Sequence, residues 1–181
     1  MKLLVCSSSR EDISDKYFND CSKLLEELFK LDNDLVFGAN NKGLMRTSYE
    51  IATKYNREVI GINPKKFKDS FGELNCNKEI ITNSIHERTA KLIDESDILL
   101  FLPGGIGTIY ELFTAIESKR CGEFNKHIII YNSNNYFGKL LEFMEDMYKE
   151  NFTSKSVEEC YHISNTYQDV IDYINYIVNY L

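Results

Sequence analysis

Ile98-Leu99-Leu100-Phe101-Leu102-Pro103-Gly104-Gly105-Ile106-Gly107-Thr108 is the stretch from which the fold can be read. Five apolar residues run on without a polar break, the pattern of a strand covered on both faces rather than one with a wet side. They stop at a proline and three closely spaced glycines. The residues that follow, roughly Ile109 to Lys119, take up a helical period. A buried strand feeding a glycine turn and then a helix is the building unit of a parallel α/β sheet.

Working outward, four more short aliphatic runs end in small or polar residues: Leu3–Cys6, Leu35–Phe37, Val59–Asn63 and Ile128–Tyr131. Helical periods fill the gaps between them. The first sets Tyr17, Cys21, Leu24, Leu25, Leu28 and Leu31 on one stripe. Others run roughly from Leu44 to Tyr55, Ile85 to Ile93 and Phe137 to Tyr148. The last, Gln168–Leu181, offers Val170, Ile171, Ile174, Ile177, Val178 and Leu181 as its buried face. This alternation predicts right-handed crossovers and a Rossmann-like, doubly wound three-layer α/β/α sandwich with a mainly parallel sheet. Residues 1–181 read as a single Rossmann-like domain without repeat or linker, and Lys65–Lys78 reads as a surface excursion.

Composition narrows the function. The chain has 181 residues, 43% of them hydrophobic, and 21 basic against 28 acidic residues give a net charge of −7. An acidic chain lacks the excess of cations that nucleic acid or an anionic membrane surface requires, so neither is an expected partner. No stretch approaches the roughly 18 apolar residues of a membrane span, and the run Leu3–Cys6 is too short for a secretory leader. Five widely spaced cysteines without a C-x-x-C pair suit reduced thiols and a cytoplasmic location. The three histidines share no ligating spacing, so no metal is expected.

Ligands of open α/β sheets bind beyond the carboxyl ends of the strands, so the chemistry is sought after Cys6, Phe37, Asn63 and Leu102. At Gly104, Gly105, Ile106, Gly107 and Thr108, backbone N–H groups can approach an anion where a helix begins. A tight turn with Thr108 as helix cap explains the same residues. The glycine spacing is not that of a dinucleotide fingerprint, and no acid stands at the end of the next strand, at Asn132, to hold a ribose. Gly38 to Gly43 has the glycine spacing of a Walker A loop, but Leu44 and Met45 stand where lysine and a hydroxyl are needed, which argues against a P-loop NTPase. Glu111, near the start of a helix, suits an ionised carboxylate that stabilises positive charge, or is simply a helix-start acid. Arg88, on the helix before the Ile98 strand, would by itself be read as a solvated surface residue.

Taken together, Ser84-Ile85-His86-Glu87-Arg88 and the later Pro103–Glu111 resemble the paired signature of the LONELY GUY family, cytokinin riboside 5′-monophosphate phosphoribohydrolases often misnamed lysine decarboxylases. The form P-G-G-x-G-T-x-x-E is matched at every specified position, and M-H-x-R-K at His86 and Arg88. The resemblance runs in order over nearly the whole chain. It implies a homodimer that cleaves the N-glycosidic bond of a nucleoside 5′-monophosphate, with no cofactor. Arg88 and Glu111 would be the catalytic pair. Ser8, Gly38, Gly43, Met45 and the residues 104–108 would hold phosphate and ribose. Five positions depart from the pattern: Ala39, Asn40 and Arg46 replace glycines, Thr89 replaces the lysine after the arginine, and Ser7 replaces a glycine. The altered 38–46 loop favours the competing expectation, a non-catalytic nucleotide or cofactor carrier on the same scaffold.

Overall fold

The computed structural model describes residues 1–67 and 74–180. Among these, seven parallel strands form one sheet: β1 Lys2–Cys6, β2 Asp34–Phe37, β3 Val59–Pro64, β4 Lys78–Thr82, β5 Ile98–Phe101, β6 His127–Tyr131 and β7 His162–Ser164. Their order is β4-β3-β2-β1-β5-β6-β7, and every neighbouring pair is parallel. The helices are α1 Asp15–Lys30, α2 Gly43–Lys54, α3 Ile85–Asp94, α4 Ile106–Arg120, α5 Gly138–Lys149 and α6 Tyr167–Tyr180.

Each strand side chain has a layer to enter, which is why the strands are apolar on both faces. Leu3, Val5, Leu35, Leu100 and Ile129 pack with α1, α2 and α6. Their alternates Leu4, Val36, Leu99, Phe101 and Ile130 pack with α3, α4 and α5. The doubly wound three-layer sandwich expected from the sequence is the fold observed. Each fully buried leucine or phenylalanine in these layers contributes about 1.5–3 kcal/mol through loss of apolar surface to water.

Several local expectations change. Two strands escape the sequence reading because they are the sheet's edges: β4 leaves Lys78, Glu79 and Ile81 exposed, and β7 has three residues. The Lys65–Lys78 excursion is not all surface. Leu74 joins the core, the Asn77 side chain accepts the Val59 N–H at 2.8 Å, and Lys78 opens β4; residues 68–73 of that stretch lie outside the described ones. Leu31 falls beyond the end of α1 and is 51% exposed, whereas Phe29 is fully buried in its place. Val178 is 56% exposed on the outer side of α6, and Leu181 lies outside the described residues. On α4, Leu112 and Ile116 are core, and Phe113 packs partly buried against that core.

The chain leaves β1 to build one half of the sheet through β2, β3 and β4, and returns to β5 to build the other half. The order reverses between β1 and β5, so the loops after these strands diverge and leave a crevice.

Candidate active site

Four loops meet at that crevice. The residues after β1 are tied into it by their backbone: the Ser8 N–H donates to the Pro103 carbonyl at 3.1 Å, and the Met45 N–H donates to the Ser8 carbonyl at 3.3 Å. The Ser8 hydroxyl accepts from the Arg10 N–H at 3.0 Å and keeps its own proton to donate. Gly43, at φ +58°, lies against this segment, and a Cβ there would stand 2.5 Å from the Arg10 carbonyl oxygen. The glycine fixes the α2 start against the first loop and does not itself face the crevice.

The glycine loop has two different jobs. Gly104 lies under Thr108, whose Oγ1 would be 2.1 Å from a Cβ at 104, and its carbonyl accepts from the Tyr136 hydroxyl at 2.6 Å. Gly105 and Gly107 face open space, with no atom within 4 Å of an added Cβ. The helix begins earlier than the sequence period indicates. Gly105 caps α4 with no side-chain bond, so Thr108 is not the cap. The Ile109 N–H already reaches the Gly105 carbonyl at 3.0 Å. The N–H groups of the first turn precede that bond and have no carbonyl of their own helix to reach.

With α4 starting at Ile106, Glu111 sits in its second turn, not its first, and a direct partner replaces the helix field as its main neighbour. Arg88 Nη1 donates to Glu111 Oε1 at 2.5 Å, with side chains 15% and 5% exposed. Arg88 Nε donates to the Ile62 carbonyl at 3.2 Å. The guanidinium lies so close over Gly38 that a Cβ there would be 1.8 Å from Nη2. Arg88 is therefore a buried, aimed side chain and not a solvated one. Its helix is held by a reciprocal cap, in which the Ser84 hydroxyl accepts the Glu87 N–H at 3.1 Å and the Glu87 carboxylate accepts the Asn83 N–H at 2.8 Å. The buried Cys6 thiol also neighbours Glu111. Burial first, and then the Glu111 carboxylate it hydrogen-bonds, push its pKa well up, so it stays a neutral donor.

These groups wall a cavity of about 250 Å³ lined by Ser8, Met45, Arg88, Gly105, Ile106, Gly107, Thr108 and Glu111, with Ser7, Ser9 and Arg10 completing it. Eight of the sequence-predicted site residues thus come together. Gly38, Gly43 and Gly104 stand behind them as spacers. A neighbouring chamber of about 220 Å³ shares Ser9, Met45 and Arg88 and adds Gly38, Asn40, Asn63, Pro64, Phe67 and Ile85. Sequence reasoning did not single out Asn63 or Phe67; their position at the last residues of β3 and just beyond it was the available signal. The motif histidine, His86, points elsewhere. Its Nδ1 meets the Tyr110 hydroxyl at 2.7 Å on the exposed side of α3 and α4.

A family model described as possible lysine decarboxylase matches residues 45–174. The chain is 29% identical over 181 residues to a probable cytokinin riboside 5′-monophosphate phosphoribohydrolase, LOGL3, of Oryza sativa subsp. japonica, covering 97% of this chain and 83% of that protein. It is 31% identical over 156 residues to LOG3 of Arabidopsis thaliana, a cytokinin riboside 5′-monophosphate phosphoribohydrolase, covering 85% and 72%. Among solved structures, the Moco carrier protein from Chlamydomonas reinhardtii is similar with a TM-score of 0.72 at 16% identity, covering 99% and 98% of the two chains. The molybdenum cofactor binding protein of Rippkaea orientalis gives 0.69 at 16%, covering 98% and 96%. These two likenesses concern the fold alone. The span of the family match and the identity to the plant proteins establish that the chain belongs to the possible lysine decarboxylase family, the LONELY GUY family that its glycine and arginine motifs resemble.

Proposed function

We propose that the protein hydrolyses the N-glycosidic bond of a nucleoside 5′-monophosphate, releasing the free base and ribose 5-phosphate. The observation that carries this reading is the Arg88–Glu111 pair, 2.5 Å apart in the wall of a cavity whose floor is the open start of α4. The phosphate binds at the N–H groups of Gly105 to Thr108, where unpaired donors and the helix dipole favour an anion. The Ser8 hydroxyl donates to phosphate or ribose.

The C1′–N bond breaks with its electron pair leaving on the base. A water oxygen bonds to C1′, keeps one proton as the new hydroxyl and gives up the other, which balances the proton the base takes up. The sugar carries positive charge in between, and Glu111 is the carboxylate that stabilises it. Arg88 uses two of its five N–H donors on Glu111 and the Ile62 carbonyl and offers the others to sugar oxygens. The relatives' names support a cytokinin riboside monophosphate as one substrate, and the resemblance supports a cytoplasmic homodimer, for which light scattering is the direct measurement.

Incubating the purified chain with a panel of nucleoside 5′-monophosphates should yield free base and ribose 5-phosphate in equal amounts. Glu111→Gln should lower that release by roughly a hundredfold or more with the fold intact. The alternative, a nucleotide or cofactor carrier, draws on Asn40 lining the neighbouring chamber where the resembling loop has glycine. Thermal stabilisation by nucleotides without any base release would favour the carrier.

A further inference from the structure

The glycine loop is held from outside the cavity by Tyr136. Gly104 is buried, and its carbonyl accepts from the Tyr136 hydroxyl at 2.6 Å; no other hydrogen bond to that carbonyl occurs among the described residues. Burial, with a smaller contribution from Tyr17, raises the pKa of the Tyr136 hydroxyl, so it keeps its proton to donate. Tyr136 is itself fixed. Its N–H donates to the Ser133 carbonyl at 3.0 Å, and its ring meets those of Tyr17 and Phe137 edge to face. The Ser133 hydroxyl in turn donates to the Asp20 carboxylate on α1. The peptide unit between Gly104 and Gly105 is trans and planar, so its N–H points opposite to its C=O. The Gly105 N–H therefore leaves on the side away from Tyr136. Gly105 lines the catalytic cavity, and Tyr136 is not among its walls.

We propose that Tyr136 is a positioning residue for the reaction: its hydroxyl fixes the Gly104 carbonyl and thereby keeps the Gly105 N–H turned to the substrate's phosphate. The inference rests on the nucleotide reading above and adds to it a residue outside both signature motifs. A lock is needed because glycine stands on both sides of this peptide. Turning the unit over carries φ of Gly105 from −87° to the positive side, which glycine adopts without strain. The turned unit presents a carbonyl oxygen to the phosphate in place of a donor, an acceptor against an anion. Without the Tyr136 hydroxyl the buried Gly104 oxygen has no partner where it stands, and turning over gives it one in water.

Tyr136→Phe removes the hydroxyl and keeps the ring, so it makes the test. Tyr17→Phe, which trims the neighbouring ring of the same stack, is its control. Calorimetry with ribose 5-phosphate should find Tyr136→Phe binding roughly tenfold more weakly than wild type, and Tyr17→Phe within about twofold of it. In the steady state, KM for adenosine 5′-monophosphate should rise by a similar factor in Tyr136→Phe while kcat falls less. NMR of the wild-type chain needs no variant: the Gly105 amide proton should move downfield as ribose 5-phosphate is added. Unchanged ribose 5-phosphate affinity in Tyr136→Phe overturns the proposal. So does an equal loss in Tyr17→Phe, a fall in kcat at unchanged KM, a Gly105 amide that ignores the ligand, or a wild-type chain that binds no ribose 5-phosphate. If no nucleotide loses its base but the sugar phosphate binds in a Tyr136-dependent way, the hydrolase reading fails and the role of Tyr136 stands. Base release with the same KM in wild type and Tyr136→Phe leaves the hydrolase reading in place and removes this one.

Discussion

The site is made of close approaches, and glycines decide where they occur. At residue 38 the missing Cβ is the space that Arg88 Nη2 occupies, so Gly38→Ala must displace the guanidinium. Arginine is flexible and the chain should still fold, but Glu111 would lose its partner and its aim. Base release is expected to fall about tenfold or more, since misplacing a catalytic group by about 1 Å is enough for such losses. Gly105→Ala provides the contrast. No atom lies within 4 Å of its added Cβ, and its φ of −87° suits alanine, so stability should stay within about 0.5 kcal/mol of wild type. If phosphate uses that empty space, KM for the nucleotide should rise. Steady-state kinetics on the two folded variants checks both statements, and wild-type turnover in Gly38→Ala would refute the role given to Arg88.

Edges are where elements depend on few contacts, and β7 is an edge of three residues. Tyr173 of α6 fastens it. Its ring stacks on His162 at 3.8 Å between centroids, and its hydroxyl meets His127 Nδ1 on β6 at 3.0 Å. Burial lowers the pKa of both histidines; Lys119 adds to the effect at His127, and Asp169 partly opposes it at His162. The sign follows directly. Below the ordinary value of 6.5 the unfolded chain takes up protons that the folded chain resists, so stability is present above that pH and lost as pH falls through it. A urea midpoint at pH 5.5 should lie below that at pH 7.5, and the difference should shrink when both histidines are replaced by glutamine. A midpoint that holds or rises on acidification would show that α6 does not depend on these rings. The same pair explains what sequence left unread here: β7 owes its place to contacts with residues far along the chain, and a period over three residues is no signal.

Across the whole molecule, legibility follows burial. The five interior strands announce themselves because both their faces are covered, and the β1–β5 switch point then locates the crevice. Arg88 and Glu111 were found through their motifs. Their pairing belongs to the tertiary structure, and local spacing pointed to a helix-start acid and a surface arginine. Asn63 needed coordinates altogether, since one amide at a strand end looks like any other. Covering both faces of the sheet also buries thiols, and this gives the fold a measurable alkaline limit. Burial, with a smaller contribution from Asp20, pushes Cys21 up to about 12. Burial, with Glu79, pushes Cys76 up to about 11, and Cys6 is raised as well. In the unfolded chain these thiols ionise near 9, while the folded chain keeps their protons. Their stabilising contribution is therefore complete below pH 9 and is lost as pH rises toward the folded values. The urea midpoint should be level from pH 7.5 to 8.5 and fall steadily between 9 and 11. Cys21→Ala should reduce that fall while lowering the midpoint at neutral pH, because it empties a fully buried position against Leu24 and Leu25. A midpoint that does not move up to pH 10.5 would mean that the thiols gain water before the chain unfolds, and that the layers over the sheet open locally.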